Sequence, residues 1–229
     1  MRTLLYLLAI VLSIFMSGAT TATAAVVVED WSGHAIGSVG VPAGWTGESF
    51  GRRALYDFTV EAEGPLRALH LRSADEHSTI SRDVTGTVVI RDTPILEWSW
   101  KVMALPLGGD LRRAQTSDLA AQLYVVWPRF PALLRSRVIG YVWDASAPVG
   151  LIAPSQKTSR VTFVVLRSGT GQLGRWLTER RNVVDDYQRI FGEPPADPGA
   201  VSISIDSNDT HSSAEAFMGP IRFVADATP

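Results

Sequence analysis

Polar and apolar residues alternate in steps of two along most of this chain. The plainest stretch is Ile95-Leu96-Glu97-Trp98-Ser99-Trp100-Lys101-Val102. Leu96, Trp98, Trp100 and Val102 fall on one face, and Glu97, Ser99 and Lys101 on the other, which predicts a strand with one buried face. The same period predicts strands over 54–61, 66–73, 87–92, 119–127 and 138–144. Residues 160–167 are apolar on both faces in their middle, which predicts a strand placed centrally in a sheet. In 200–206, Val201, Ile203 and Ile205 alternate with Ser202, Ser204 and Asp206. Segments 214–217 and 221–224 predict two closing strands. Helical spacing is confined to 184–191, with Val184, Tyr187 and Phe191 on one side. Asn182 suits its N-cap, Asp185 and Asp186 its first turn, and Gly192 its end. Many short strands separated by Gly/Pro turns, with one short helix, predict an all-β fold, a β-sandwich of jelly-roll type.

The first residues depart from this pattern. Arg2 is the sole charge before Glu29, residues 4–16 are apolar apart from Ser13, and 17–25 are small. A positive start, an apolar run and small residues predict a secretory signal peptide over 1–24, cut after Ala24. The run falls short of the roughly 20 residues of a spanning helix, and no later stretch is long enough either. One domain over 25–229 is expected, free in the periplasm or secreted. The chain has no cysteine, so neither disulfides nor lipid attachment through a cysteine is available. The net charge is -2 with both signs interspersed, which leaves nucleic-acid binding without an electrostatic basis. Seven tryptophans serve either as core or as platforms for flat ligands.

Several segments together resemble a bacterial domain-of-unknown-function family, the one numbered 3047. They are Pro94-Ile95-Leu96-Glu97-Trp98-Ser99-Trp100-Lys101-Val102, Ser117-Asp118-Leu119-Ala120-Ala121-Gln122-Leu123-Tyr124-Val125-Val126, Tyr141-Val142-Trp143, Trp176-Leu177-Thr178-Glu179-Arg180-Arg181-Asn182-Val183, Asp185-Asp186-Tyr187, Phe191-Gly192-Glu193-Pro194-Pro195 and Asp206-Ser207-Asn208-Asp209-Thr210. The resemblance implies no activity. It departs at Asn208, where the family pattern carries an acidic residue, and this puts a metal or sugar role for that loop in doubt. More remotely, Gly219-Pro220-Ile221-Arg222-Phe223 is similar to the closing strand of galactose-binding-like jelly rolls, without their Asp. That likeness is one of fold alone.

Three polar groups are candidates for chemistry. Thr178-Glu179-Arg180-Arg181-Asn182 leads from a strand into the helix, and two guanidiniums there can clamp a carboxylate or phosphate. Alternatively, Arg180 or Arg181 pairs with Glu179, Asp185 or Asp186 and pins the helix to the sheet. Asp118 with Tyr141 and Trp143 puts a carboxylate beside aromatic faces, an arrangement that holds sugars. Alternatively the rings are core and Asp118 opens a strand. Asp206-Ser207-Asn208-Asp209-Thr210 gathers hard oxygens suited to Ca²⁺, but an Asx-type turn explains the same residues. Gly169-Thr170-Gly171-Gln172-Leu173-Gly174 matches a dinucleotide fingerprint, yet Arg175-Trp176-Leu177-Thr178 reads as strand rather than helix, which predicts a hairpin turn. His34, His70, His77 and His211 show no paired metal spacing, and no nucleophile elbow exists. Neither a cofactor nor a metal is expected.

These features predict a non-catalytic envelope protein that binds a carbohydrate or another small polar ligand, with aromatic rings exposed at the site. Two alternatives stand beside it. An assembly protein would present a flat apolar patch. A carboxylate-based glycan-active enzyme would draw two of Glu97, Asp118, Glu179 and Asp185 together in a cleft.

Overall fold

The computed structural model describes residues 25–48, 54–131 and 135–226. The expected signal peptide lies outside the described residues. The strands are β1 (Ala25–Glu29), β2 (Thr46–Glu48), β3 (Asp57–Glu63), β4 (Leu66–Ala74), β5 (His77–Asp83), β6 (Ile95–Ala104), β7 (Ala121–Trp127), β8 (Arg137–Asp144), β9 (Ile152–Pro154), β10 (Val161–Ser168), β11 (Leu177–Asn182), β12 (Ala200–Asp206) and β13 (Ser213–Val224); helix α1 spans Val183–Phe191, and a single 3-10 turn spans Ala114–Thr116. They form two sheets of a jelly-roll-type sandwich. The first runs β11-β6-β13-β4-β3, with β1 also on β13; the second runs β2-β5-β12-β7-β8-β10-β9. Pairing is antiparallel except between β8 and β10. Among the described residues no helix is long and apolar enough to cross a membrane.

The alternation seen in the sequence becomes the inner faces of the two sheets. Leu96, Trp98, Trp100 and Val102 of β6 are all buried against Leu123, Tyr141 and Trp143 of the facing sheet, in one cluster. Trp98 packs 5.3 Å from Tyr141, and Trp100 lies 6.3 Å from Trp143, centroid to centroid. A smaller cluster covers the far side of the second sheet, where Leu111, Leu119 and Ala147 bury Val142, Phe163 and Val165. That cover explains the two-sided apolar middle of β10. The strand is not central, since only β9 lies beyond it.

Four local expectations change. Residues 87–92 are turns rather than strand: the amides of Thr87 and Val88 donate to the Val84 carbonyl, and Ile90 N donates to Asp197 Oδ1 at 2.9 Å. Val88 and Ile90 are buried because this loop tucks into the core, which mimics a strand's alternation. β5 escaped notice because its pairing with β12 is a ladder of hydroxyls, Thr79 to Ser204 at 2.7 Å and Ser81 to Ser202 at 2.9 Å. The two expected closing strands are one. Met218 pairs with Trp100 and Ile221 with Trp98, so Gly219 and Pro220 bulge opposite Ser99. Trp31 Nε1 donates to the Gly219 carbonyl at 3.0 Å. Finally, the glycine-rich segment 169–174 is no hairpin, because β10 and β11 belong to different sheets. It crosses the edge of the sandwich, with Gly169 N bonded to the Asp144 carbonyl and Gly174 N to the Val102 carbonyl.

Candidate functional site

The polar run 178–182 is the edge strand β11 itself, paired only with β6. Its register sets Glu179 opposite Trp98, Arg180 opposite Glu97 and Arg181 opposite Leu96. By the two-residue period, Glu179 and Arg181 face the gap between the sheets, while Arg180 faces outward. Two polar bridges close the gap. Glu179 is buried and accepts from Trp100 Nε1 at 3.1 Å and from Arg167 of β10 through Nε at 2.7 Å and Nη2 at 3.1 Å. Arg181 makes a two-pronged pair with Asp186 of α1, with Nε at 2.9 Å from Oδ2. Tyr141 of the other sheet donates its hydroxyl to the same carboxylate at 2.8 Å. Burial, with the Asp186 charge beside it, pushes the Tyr141 phenol well above its ordinary range and keeps it a donor. The Asp186 carboxylate likewise holds Arg181 above its usual value.

Arg167 reaches Glu179 because of a bulge. Val165 pairs with Val142, but Arg167 pairs with Trp143, so two residues of β10 span one of β8. Strict alternation would turn Arg167 to the outer face with Val165; the extra residue turns it toward the gap.

Outside these bridges lies an open groove of about 350 Å³ between β10 and β11. Val149, Ile152, Val164 and Leu166 form an apolar side, and Arg167, Arg180, Arg181 and Arg189 a cationic one. Arg180 gives only its Nε, to Glu97 at 3.0 Å, and Glu97 is also held by Arg222. Arg189, exposed in the last turn of α1, bonds no described residue. α1 is set at this edge by its caps. Asn182 Oδ1 accepts from the amides of Val184 and Asp185, and Gly192, at φ 75°, turns the chain away.

The structure thus gathers Glu179, Arg180 and Arg181 at one groove and puts Asn182 to use as a helix cap. The other expected residues do not line this groove. Tyr141 and Trp143 are fully buried, so the aromatic platform expected of them is core instead; Trp143 Nε1 donates to the Gly169 carbonyl at 3.0 Å. Asp118 is also fully buried and organises the loop after β12, accepting from Asp209 N at 3.1 Å and from Thr210 N and Oγ1, both at 2.7 Å. Asp206 accepts from Leu119 N at 2.6 Å, Gln122 Nε2 at 2.9 Å and His77 Nδ1 at 3.2 Å. Burial pushes its carboxyl up, only partly offset by His77. Asn208 donates to Asp209, which Lys157 also holds. The carboxylates of Asp206 and Asp209 are therefore engaged by the protein's own donors. Among the described residues no group of three or more His, Asp or Glu side chains is placed to hold a metal ion.

Arg167 and Arg189 were not among the expected site residues. One needs the bulge and the other the docking of α1, and neither has a signal in the sequence. A second polar cluster was also missed, on the outer face of the first sheet. His70 lies between Glu61, at 2.9 Å, and Glu215, at 2.7 Å, with its ring stacked 4.0 Å from that of Phe217. A carboxylate pair that cleaves glycosides needs room between its members for the sugar and water. Here the imidazole occupies that room.

Among solved structures, the chain is similar to the CBM22-1 xylan-binding domain of Paenibacillus barcinonensis Xyn10C, with 13% identity and a TM-score of 0.39 over 84% of this chain and 98% of that one. It is also similar to the family GH12 endoglucanase 3 of Trichoderma harzianum, with 7% identity and a TM-score of 0.38 over 73% and 82% of the two chains. The family 11 xylanase of Neocallimastix patriciarum matches at 10% identity and a TM-score of 0.36 over 88% and 96%. These likenesses are too distant to transfer a residue or a ligand. No curated protein matches the sequence. The family model described as protein of unknown function, DUF3047, covers residues 43–222, and the chain belongs to that family.

Proposed function

We propose that this protein is exported and binds a carbohydrate or another small polar ligand in the groove between β10 and β11. One observation carries the reading: a groove of about 350 Å³ that sets an apolar side of Val149, Ile152 and Leu166 against the Arg180 Nη groups and the Arg189 guanidinium, which bond no described residue. Sugar rings present a C–H face and a rim of oxygens, which such a pair of surfaces complements. The volume lies within the range of small-ligand sites, roughly 300–1,000 Å³. Export rests on residues 1–24.

A glycan array probed with residues 25–229 tests the binding. Val149 is 63% exposed, so Val149→Trp fills the groove without disturbing the core. Binding by the parent chain that the variant loses, at unchanged thermal stability, is the expected result. Equal binding by the variant would place the ligand elsewhere. Amino-terminal sequencing of protein recovered from the cell envelope should begin at Ala25; an intact Met1 would refute export.

A further inference from the structure

We infer that the ligand of this groove is a saccharide bearing carboxylates, a uronate-containing oligosaccharide; this rests on the groove reading above. The reason is the balance of donors and acceptors. A neutral sugar hydroxyl both donates and accepts, and a site built for it supplies both kinds of partner. The side chains of this groove supply donors. Its sole carboxylate, Glu179, already accepts from Trp100 and twice from Arg167. Of its four arginines, Arg167 is spent on Glu179 and on Gln172, whose Oε1 lies 3.3 Å from Nη1. Among the described residues, Arg180 retains Nη1 and Nη2 and Arg189 retains its whole guanidinium, while Arg181 is engaged by Asp186 and Tyr141. These groups only donate, and the group that only accepts, with a planar fork to match, is a carboxylate.

The partner carboxylates set the heads in place before any ligand arrives. Asp186 holds Arg181 in two-pronged fashion and is itself held by Tyr141, so that guanidinium is fixed against the core. Glu97 sits between Arg180 and Arg222 and is shared by both. Fixing donors in advance reduces what the ligand must order on binding. The apolar side, Val149, Ile152 and Leu166, remains for the ring's C–H face.

The experiment is calorimetric titration of residues 25–229 with glucuronate-, galacturonate- and mannuronate-containing oligosaccharides. The neutral counterpart of each and a sulfated set are titrated beside them. Uronates should bind at least about tenfold more tightly than their neutral counterparts, and the gap should narrow between about 20 mM and about 500 mM salt. Arg189→Gln should weaken uronate binding about fivefold and neutral-sugar binding by less, at unchanged thermal stability, since Arg189 bonds no described residue. Equal affinity for neutral and acidic members would overturn this inference and leave the groove reading standing. Preference for sulfated members would overturn the carboxylate assignment. A uronate preference intact in both Arg189→Gln and Arg180→Gln would place the charge recognition outside the groove. No binding across all three sets would overturn the groove reading with it.

Discussion

Glu29 is 5% exposed, and it accepts from the amides of Asp30 and Trp31, from Trp45 Nε1, from His34 Nε2 and from Arg82 Nη1. Burial pushes its carboxyl up, but the bonds from Trp45, Trp31 and His34, with the Arg82 charge, outweigh burial and hold it below the ordinary 4.5. The folded state therefore binds this proton less tightly than the unfolded chain. Its stabilisation is complete above about pH 4.5 and is lost as pH falls through the lowered value. Asp206 runs the other way. Its raised carboxyl favours the fold most below its ordinary 3.8, and that contribution fades as pH rises through the folded value. Glu29→Gln should cost about 2–3 kcal/mol at pH 7, where charge-assisted bonds are lost. The gap from the parent chain should shrink as pH drops below 4, and urea titrations at several pH values read it directly. A constant gap would show that the charge contributes nothing.

At the scale of elements, two bulges and a capped helix shape the molecule. The β10 bulge aims Arg167, the β13 bulge leaves a carbonyl for Trp31, and α1 brings Asp186 and Arg189 to the edge. Asn182→Ala removes the acceptor for two helix amides and should cost about 1 kcal/mol in a urea titration. Gly219 is required for close approach, because a Cβ there would run into Ser99 Oγ. Gly219→Ala should cost about 1–3 kcal/mol by overpacking. Adding Ser99→Ala should recover most of that loss, and a double variant no better than the single one would mean that the strain lies against Trp176 or the Ser99 carbonyl instead.

For the whole molecule, the two sheets stay together through a core of tryptophan and aliphatic side chains, and through the polar bridges at one edge. No cysteine contributes. Trp143 is fully buried and meets both Trp100 and the Gly169 carbonyl, so Trp143→Ala should cost about 3–5 kcal/mol. Loss of ligand binding in that variant would therefore report on folding, which a fall in unfolding temperature would reveal. Val149→Trp should do the opposite, abolishing binding while the unfolding temperature holds.

The period-two pattern was enough to establish the class of fold, because burial of one sheet face imposes it residue by residue. Leu96, Trp98, Trp100 and Val102 therefore announced β6, and Asn182 and Gly192 announced the ends of α1, since caps act through neighbours in the chain. Where hydroxyls rather than apolar groups pair the strands, as Thr79 and Ser81 do on β12, the pattern is silent. Where a loop buries every second residue, as at Val88 and Ile90, it misleads. At the site, Glu179, Arg180 and Arg181 were legible as a charged run, but which of them would pair within the protein was not. That was decided by contacts between segments far apart in sequence. A bulge reverses which face Arg167 occupies, a crossing loop sets β10 beside β11, and a docked helix leaves Arg189 without a partner among the described residues. Alternation along one strand carries no information about the strand that ends up across the gap. The strands were therefore readable from sequence, whereas the groove exists only once the two sheets meet.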